Sequence, residues 1–197
     1  MATADQNTHL LDQASILAER FSPRAADFDQ ARKLDQDASD AMAEAGFYRL
    51  FVPEQLGGLE ASPVVSAQIF ERLAQGSAAC GWVAFIAATS GSTLGSIPEE
   101  TARAIFTHPN TMVAGVFAPS GKAKVDAGQV TVNGRWQWGS GTQNADWVLG
   151  GCMVDTGAEK PSQHMVLMPT SEVQFLDTWH VSGLQGTGST DYEAVDL

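Results

Sequence analysis

The sequence predicts an α+β fold, with helices over residues 1–109 and β-strands over residues 110–197. Two observations lead to this prediction. In the first part, apolar residues recur every three or four positions, which is the spacing of one helical face. After His108-Pro109, apolar and polar residues alternate, and β-branched and aromatic types become frequent, as is typical of strands. We place the boundary between an N-terminal helical domain and a β domain at this change of period.

The helical region contains recognisable helix starts and stops. Leu10–Phe21 carries the first apolar stripe, and residues 23–46 are predicted to form a second helix between a proline and a glycine stop. Ser62-Pro63 combines a hydroxyl N-cap with proline at the first helical position. Further helices are expected at 77–95 and 98–106, the latter with two acidic residues in its first turn.

The β region is predicted from alternation and turn signals. Val113–Phe117 is the first strand candidate. Gln129–Trp138 contains two short strands divided by Asn133-Gly134, a strong hairpin signal. Further strands are expected at 147–154, 164–168 and 191–197.

Composition excludes several function classes. The net charge of −12 disfavours nucleic-acid and anionic-membrane partners, because phosphate binding needs a surplus of lysine and arginine. The first residues lack the basic and apolar regions of a secretory signal. The most apolar run, Cys80–Leu94, is shorter than the roughly 18 residues of a membrane span. We expect a cytoplasmic protein in which Cys80 and Cys152 are reduced and buried.

Common catalytic motifs are absent from the sequence. The four histidines stand in unrelated neighbourhoods without a second ligand at metal-binding spacing, so no metal site is predicted. The sequence has no GxSxG, Walker or helix-opening GxGxxG motif. The segment 186–189 resembles a phosphate loop only superficially, and a simple turn is the better interpretation.

The most unusual segment is NGRWQWGSGTQNADW, residues 133–147, with three of the five tryptophans and three glycines. Two interpretations are open. Its tryptophans could pack the core of a hairpin, with the glycines at bulges. Alternatively, the segment forms a flat aromatic wall beside an exposed hydroxyl and accessible backbone N–H groups, which suits a planar ligand such as a flavin ring.

This segment resembles the β-domain signature of acyl-CoA dehydrogenases, N-G-x-K-x-W-I-[ST]-N-G-x-x-A-D-W. The matches are Asn133, Gly134, Trp138, Ala145, Asp146 and Trp147, and Ser140 falls on the Ser/Thr position. The resemblance implies a bound flavin, FAD or FMN. It implies that Trp138 packs against the ring while Ser140, flanked by Gly139 and Gly141, bonds to its N5/O4 edge.

Three other blocks resemble the same family in the same order. Leu50–Gly58 resembles a P-x-x-x-G-G element, and Asp177–Ser189 resembles W-x-x-x-G-[LM]-R-G-T-G-S with glutamine in place of arginine. Phe117–Ala123 occupies the place of the family's T-E-P-x-A-G-S-D loop but lacks its acidic residue and final Ser-Asp. Phe117 and Pro119 join the cofactor-binding candidates on this basis.

The resemblance implies a helical domain followed by an antiparallel, barrel-like β domain. The family's C-terminal four-helix bundle, which usually carries the catalytic glutamate, is missing from this sequence. We therefore expect the chain to be incomplete and assign no catalytic residue. Family likeness also implies a homodimer or homotetramer.

Two chemistries remain open within the family. One is a monooxygenase that receives reduced flavin from a partner reductase and hydroxylates a small, often aromatic, substrate. The other is an FAD-dependent dehydrogenase that oxidises the α,β bond of an acyl thioester. The Gly-Ser-Gly after Trp138 and the altered 117–123 loop favour the monooxygenase. A non-catalytic interaction module is the third interpretation.

The helix after residue 77 supplies substrate-pocket candidates. Trp82, Ser90 and Ser92 could line a substrate cavity. Alternatively, Trp82 is a core residue and the serine hydroxyls bond back to carbonyls of their own helix.

Overall fold

Residues 4–197 are described by a computed structural model. Six α-helices occupy the first part: α1 Ala4–Phe21, α2 Ala25–Ala31, α3 Gln36–Glu44, α4 Pro63–Gly76, α5 Ala78–Ser92 and α6 Glu99–Ile105. Six strands follow: β1 Val113–Asp126, β2 Gln129–Trp136, β3 Trp147–Asp155, β4 Ser162–Pro169, β5 Gln174–Leu176 and β6 Asp191–Ala194. The predicted order of helices followed by strands is confirmed.

Residues 23–46 form two α-helices, where the sequence predicted one. Arg32 has a left-handed backbone, with φ of 55°, and ends α2. Asp35 then begins α3, because its carboxylate accepts the N–H of Ala38 at 2.9 Å. This N-cap satisfies a backbone donor that a continuous helix would have bonded to a carbonyl, so the break costs little.

Helix α4 begins at the predicted Ser62 cap, and α5 begins at a hydroxyl cap, Ser77, that was not predicted from the sequence. Ser62 accepts the N–H of Val65 and Ser77 accepts the N–H of Cys80. The segment Ala78–Ser96 is long and apolar enough to cross a membrane by length and composition alone, and 56% of it is buried inside the fold. It packs against α4 and β1, which is the position of a core helix.

Both cysteines are buried and unpaired, as predicted. Burial raises the pKa of the Cys80 thiol to about 12 and that of Cys152 to about 11. The thiolate is the reactive form, so neither cysteine offers a nucleophile at neutral pH.

A buried arginine holds the segment between the helices and the strands. The Arg49 guanidinium lies over the Phe106 ring at 4.5 Å and donates to the carbonyls of Phe106 and His108. Burial lowers its pKa. The carbonyls that follow α6 are therefore satisfied by a side chain from the first half of the helical region.

The six strands form one mixed sheet in the order β4-β3-β1-β2-β6-β5. Four of the five neighbouring pairs are antiparallel, as expected, but β1 and β3 run parallel. The residues just before these two strands are held together, because the N–H of Met112 donates to the Asp146 carboxylate and the N–H of Asp146 donates to the Met112 carbonyl. Both strands therefore start from the same point and run in the same direction.

The β1–β2 hairpin turns at Ala127-Gly128, and the predicted turn at Asn133-Gly134 is wrong. Both turn residues have positive φ, 49° and 83°, as a two-residue type I′ turn requires. Gly134 lies inside β2, opposite Gly121. A Cβ on Gly134 would lie 2.6 Å from the Gly121 Cα, so this glycine serves packing within the sheet.

Trp136 is the centre of the β-region core. It is fully buried, stacks on Tyr192 with ring centroids 5.3 Å apart, and donates its indole N–H to the Gly151 carbonyl at 2.8 Å. Three glycines leave room for its ring, since a Cβ on any of them would lie under 3.0 Å from ring atoms. These glycines are Gly121, Gly134 and Gly150.

A wide bulge interrupts β1 beside this core. Residues 117–120 lie opposite Gly151 alone. A Cβ on Gly151 would collide with the carbonyl oxygens of the bulge. The extra residues are therefore pushed outward, and they expose Phe117 and Pro119.

We expect Gly150→Ala to destabilise the protein by about 2 kcal/mol, because the added Cβ would lie 2.6 Å from the Trp136 ring and overpack the core. Urea unfolding measures the change. Gly183→Ala is the matched control, because a Cβ there meets nothing within 4 Å. Equal unfolding midpoints for the two variants would contradict the packing role of Gly150.

Candidate functional site

Each of the two interpretations of the 133–147 segment describes one tryptophan: Trp136 fits the core interpretation and Trp138 fits the ligand-surface interpretation. Trp136 packs the core, whereas Trp138 is 70% exposed. Trp138 has φ of 63°, a left-handed backbone that ends the regular strand and turns its indole away from the sheet core. Trp138 thus provides the flat aromatic surface that a planar ligand requires.

The backbone around Trp138 is held rigidly against β6. The N–H of Trp138 donates to the Asp191 carboxylate, which is buried and paired with Arg135 at 2.7 Å. Gly139 donates its N–H to the Thr190 carbonyl, and a Cβ there would lie 2.7 Å from the Tyr192 ring. The exposed indole is therefore presented from a fixed loop.

The backbone N–H groups of residues 138–141 are not accessible to a ligand, contrary to the expectation from the sequence. All four are bonded within the protein: Trp138 to Asp191, Gly139 to Thr190, Ser140 to Trp138 and Gly141 to Thr187. The 184–190 loop and β6 take up three of these donors, and the turn itself takes up the N–H of Ser140. Ser140 can therefore contact a ligand through its hydroxyl and not through its backbone N–H.

Ser140 is only 8% exposed, whereas the sequence suggested an open hydroxyl. Its Oγ accepts the indole N–H of Trp82 at 2.9 Å and lies 2.7 Å from the Ser189 Oγ. The contacts continue from Ser189 to Thr187, 2.6 Å apart, and from Thr187 to the Leu184 carbonyl. Ser140 thus joins a helix of the first half to a loop near the end of the chain.

Helix α2 and the residue that ends it, Arg32, clamp that loop and the 177–179 segment before it. The N–H of Gly186 donates to the Asp29 carboxylate at 2.7 Å, and Arg32 pairs with Asp177 at 2.6 Å. Arg32 also donates to the Trp179 carbonyl at 3.2 Å. These partners are 145 to 157 positions apart, and no local pattern marks them, so sequence reasoning missed Asp29 and Arg32.

An aromatic groove lies between α4 and α5, next to Ser140. Three ring contacts line it: Phe51–Phe70, Phe70–Phe85 and Trp82–Phe85, with centroids 6.4, 5.6 and 5.5 Å apart. The groove has a volume of about 660 Å³. Of the described residues that line it, Glu71 alone is charged.

The three predicted pocket residues separate in the structure. Trp82 is 43% exposed and lies between the groove and Ser140, so the core alternative does not describe it. Ser90 is buried on the inner side of α5, and its hydroxyl has no partner within residues 4–197. Ser92 donates to the Thr89 carbonyl at 2.7 Å, which is the alternative of bonding back to its own helix. Neither serine lines the groove.

The chain is similar in sequence to a family of dehydrogenases and to named monooxygenases. Residues 3–103, just over half of the chain, match the family described as acyl-CoA dehydrogenase, N-terminal domain. An indole-3-acetate monooxygenase of Pseudomonas putida is 34% identical over 90% of this chain and 46% of its own length. The flavin-dependent monooxygenase oxygenase subunit HsaA of Rhodococcus jostii is 32% identical over 95% of this chain and 49% of its own.

A solved structure has the same fold. The HsaA monooxygenase of M. tuberculosis superposes with a TM-score of 0.89 at 28% identity, over 97% of this chain and 50% of that one. The chain thus spans about half the length of the relatives that it matches.

We expect Asp177 to titrate at a lower pH in the wild-type chain than in Arg32→Gln. The hydrogen bond from Arg32 holds the pKa of this carboxyl below its ordinary value. The pairing is therefore complete above the ordinary pKa and is lost as pH falls through the lowered one. Carboxyl NMR titration measures this. Arg103→Gln, which breaks a distant ion pair with Glu99, should leave Asp177 unchanged. The same Asp177 pKa in all three proteins would refute the contact between Arg32 and Asp177.

Proposed function

This chain belongs to the acyl-CoA dehydrogenase family, and we propose that it forms part of the oxygenase component of a two-component, flavin-dependent monooxygenase. The observation that carries the proposal is an exposed indole, Trp138, two residues before the Ser140 hydroxyl, which a hydrogen bond from Trp82 joins to an aromatic groove. The names of the relatives, which are monooxygenases, support this chemistry.

The residues around Trp138 fit a flavin ring. A flavin presents a planar apolar face and a hydrogen-bonding edge, and Trp138 and Ser140 provide one partner for each. Phe117, which is 48% exposed in the β1 bulge, and Pro119 supply further apolar surface. These contacts involve only the flavin ring, which FAD and FMN share, so the proposal includes both cofactors. The bound flavin would supply the oxidation–reduction chemistry.

An aromatic substrate suits the groove. Edge-to-face contacts with Phe70 and Phe85 favour a planar ring, and Trp82 connects the groove to Ser140. With Glu71 as its one charged lining residue, the groove favours a neutral or cationic ring over an anionic one.

The dehydrogenase alternative has less support from this chain. The 117–123 segment lacks the acidic and Ser-Asp residues of the dehydrogenase loop, and its bulge exposes apolar residues instead. We propose that a flavin reductase is the partner, since the related HsaA is named as the oxygenase subunit of a monooxygenase. Homodimer or homotetramer formation, cytoplasmic location and the division into domains at 109/110 stay predictions.

We expect Trp138→Ala to weaken flavin binding roughly fivefold, because one ring contact is worth about 1 kcal/mol. Fluorescence titration with FAD and FMN, in both redox states, measures it. Trp138→Phe should recover most of the affinity. Val195→Ala removes a comparably exposed apolar side chain elsewhere and should have no effect. Wild-type affinity in Trp138→Ala would overturn the assignment of this ring.

We expect Phe85→Ala to weaken binding of a neutral aromatic probe, indole, by roughly fivefold through loss of ring contacts in the groove. Equilibrium dialysis with labelled indole measures the dissociation constant. Ile16→Ala, an exposed apolar residue on α1, is the control. Indole binding that is unaffected by Phe85→Ala would place the substrate outside this groove.

A further inference from the structure

Four consecutive hydrogen bonds link α5 to the 184–190 loop. The Trp82 indole N–H meets the Ser140 Oγ at 2.9 Å, and the Ser140 Oγ meets the Ser189 Oγ at 2.7 Å. The Ser189 Oγ meets the Thr187 Oγ1 at 2.6 Å, and Thr187 meets the Leu184 carbonyl at 2.8 Å. Three hydroxyls therefore lie between an obligatory donor and an obligatory acceptor.

The proton count allows only one direction of donation along these four hydrogen bonds. A carbonyl oxygen only accepts and an indole N–H only donates, while each hydroxyl carries a single proton. Thr187 gives its proton to Leu184, so the proton between Thr187 and Ser189 must come from Ser189. The proton between Ser189 and Ser140 must then come from Ser140. Any other assignment leaves two oxygens less than 3 Å apart with no proton between them.

Ser140 consequently has no proton left for a ligand. Its hydrogen is committed to Ser189, and one lone pair accepts from Trp82. The remaining lone pair can only accept. Ser189 and Thr187 are 3% and 2% exposed, so water does not compete for these bonds, and the clamp from Asp29 to Gly186 holds their loop in place.

We propose that Ser189 and Thr187 are positioning residues that fix the direction of the Ser140 O–H bond, so that Ser140 meets its ligand as a hydrogen-bond acceptor. The proposal rests on the proposed function, in which the ligand is a flavin. The two redox states differ at the edge of the ring: N5 of oxidised flavin only accepts, whereas reduced flavin carries an N5–H donor. The fixed direction therefore favours the reduced ring.

The test measures dissociation constants for oxidised and reduced FAD and FMN under anaerobic conditions. The quantity compared is the ratio of the oxidised to the reduced constant. In Thr187→Val, Ser189 loses its acceptor and can donate to Ser140, which frees the Ser140 proton for the ligand. The ratio should fall roughly fivefold, the equivalent of one ordinary hydrogen bond.

Two further variants distinguish an effect on the direction of the Ser140 O–H bond from a general loss of structure. Ser189→Ala removes the acceptor of the Ser140 proton and should lower the ratio by a similar factor. Thr187→Ser keeps the hydroxyl and should keep the wild-type ratio. A merely structural role would weaken both redox states equally and leave the ratio unchanged.

The outcomes distinguish this inference from the function on which it rests. A lower ratio in Thr187→Val and Ser189→Ala, with the wild-type ratio in Thr187→Ser, supports the positioning role. Flavin binding with one ratio in all four proteins overturns it and leaves the flavin site standing. Absence of flavin binding in either redox state overturns the proposed function and this inference together.

Discussion

The stacking of Trp136 on Tyr192 is the contact on which the rest of the β region depends. Tyr192 lies on β6, yet its hydroxyl accepts the Val116 N–H of β1 and donates to the Leu149 carbonyl of β3. Trp136 itself lies on β2, so this ring pair ties four strands together, at the place where β1 begins to bulge. The glycines around the Trp136 indole follow from its size, because close-packed cores leave no space for additional methyl groups.

The same contact places the candidate site. With Trp136 committed to the core, the chain must leave the sheet immediately afterwards, and the left-handed backbone at Trp138 makes that exit. The buried Asp191 and the Thr190 carbonyl then hold the turn. Because the backbone N–H groups of this turn are bonded, the exposed Trp138 indole is presented from a rigid backbone, which lowers the ordering cost of binding a ligand.

Much of this organisation was predictable, and the errors have physical causes. The helix over 63–76 was predicted because Ser62 caps it by accepting the N–H of a residue three positions later. The helix over 78–92 was predicted as an apolar run, and its Ser77 cap was seen only in the structure. The predicted turn at Asn133-Gly134 was wrong because a glycine at this position suits either a tight turn or a crowded strand. The close approach of Gly121 and the Trp136 ring, which only the structure shows, decides for the strand. Trp138 and Ser140 were found through motif resemblance. The burial of Ser140, and the use of its neighbouring N–H groups inside the protein, depend on the 184–190 loop.

The sequence by itself determined the order of helices and strands, most helix starts, the burial of both cysteines and the segment that carries the candidate site. These features depend on side-chain type and on interactions between residues a few positions apart. The tertiary structure alone decided which tryptophan is buried, where the hairpin turns, that β1 and β3 run parallel, and that Asp29, Trp82, Ser140 and Ser189 belong to one connected site. Those outcomes depend on hydrogen bonds and ring contacts between segments far apart in the chain, which no local pattern encodes.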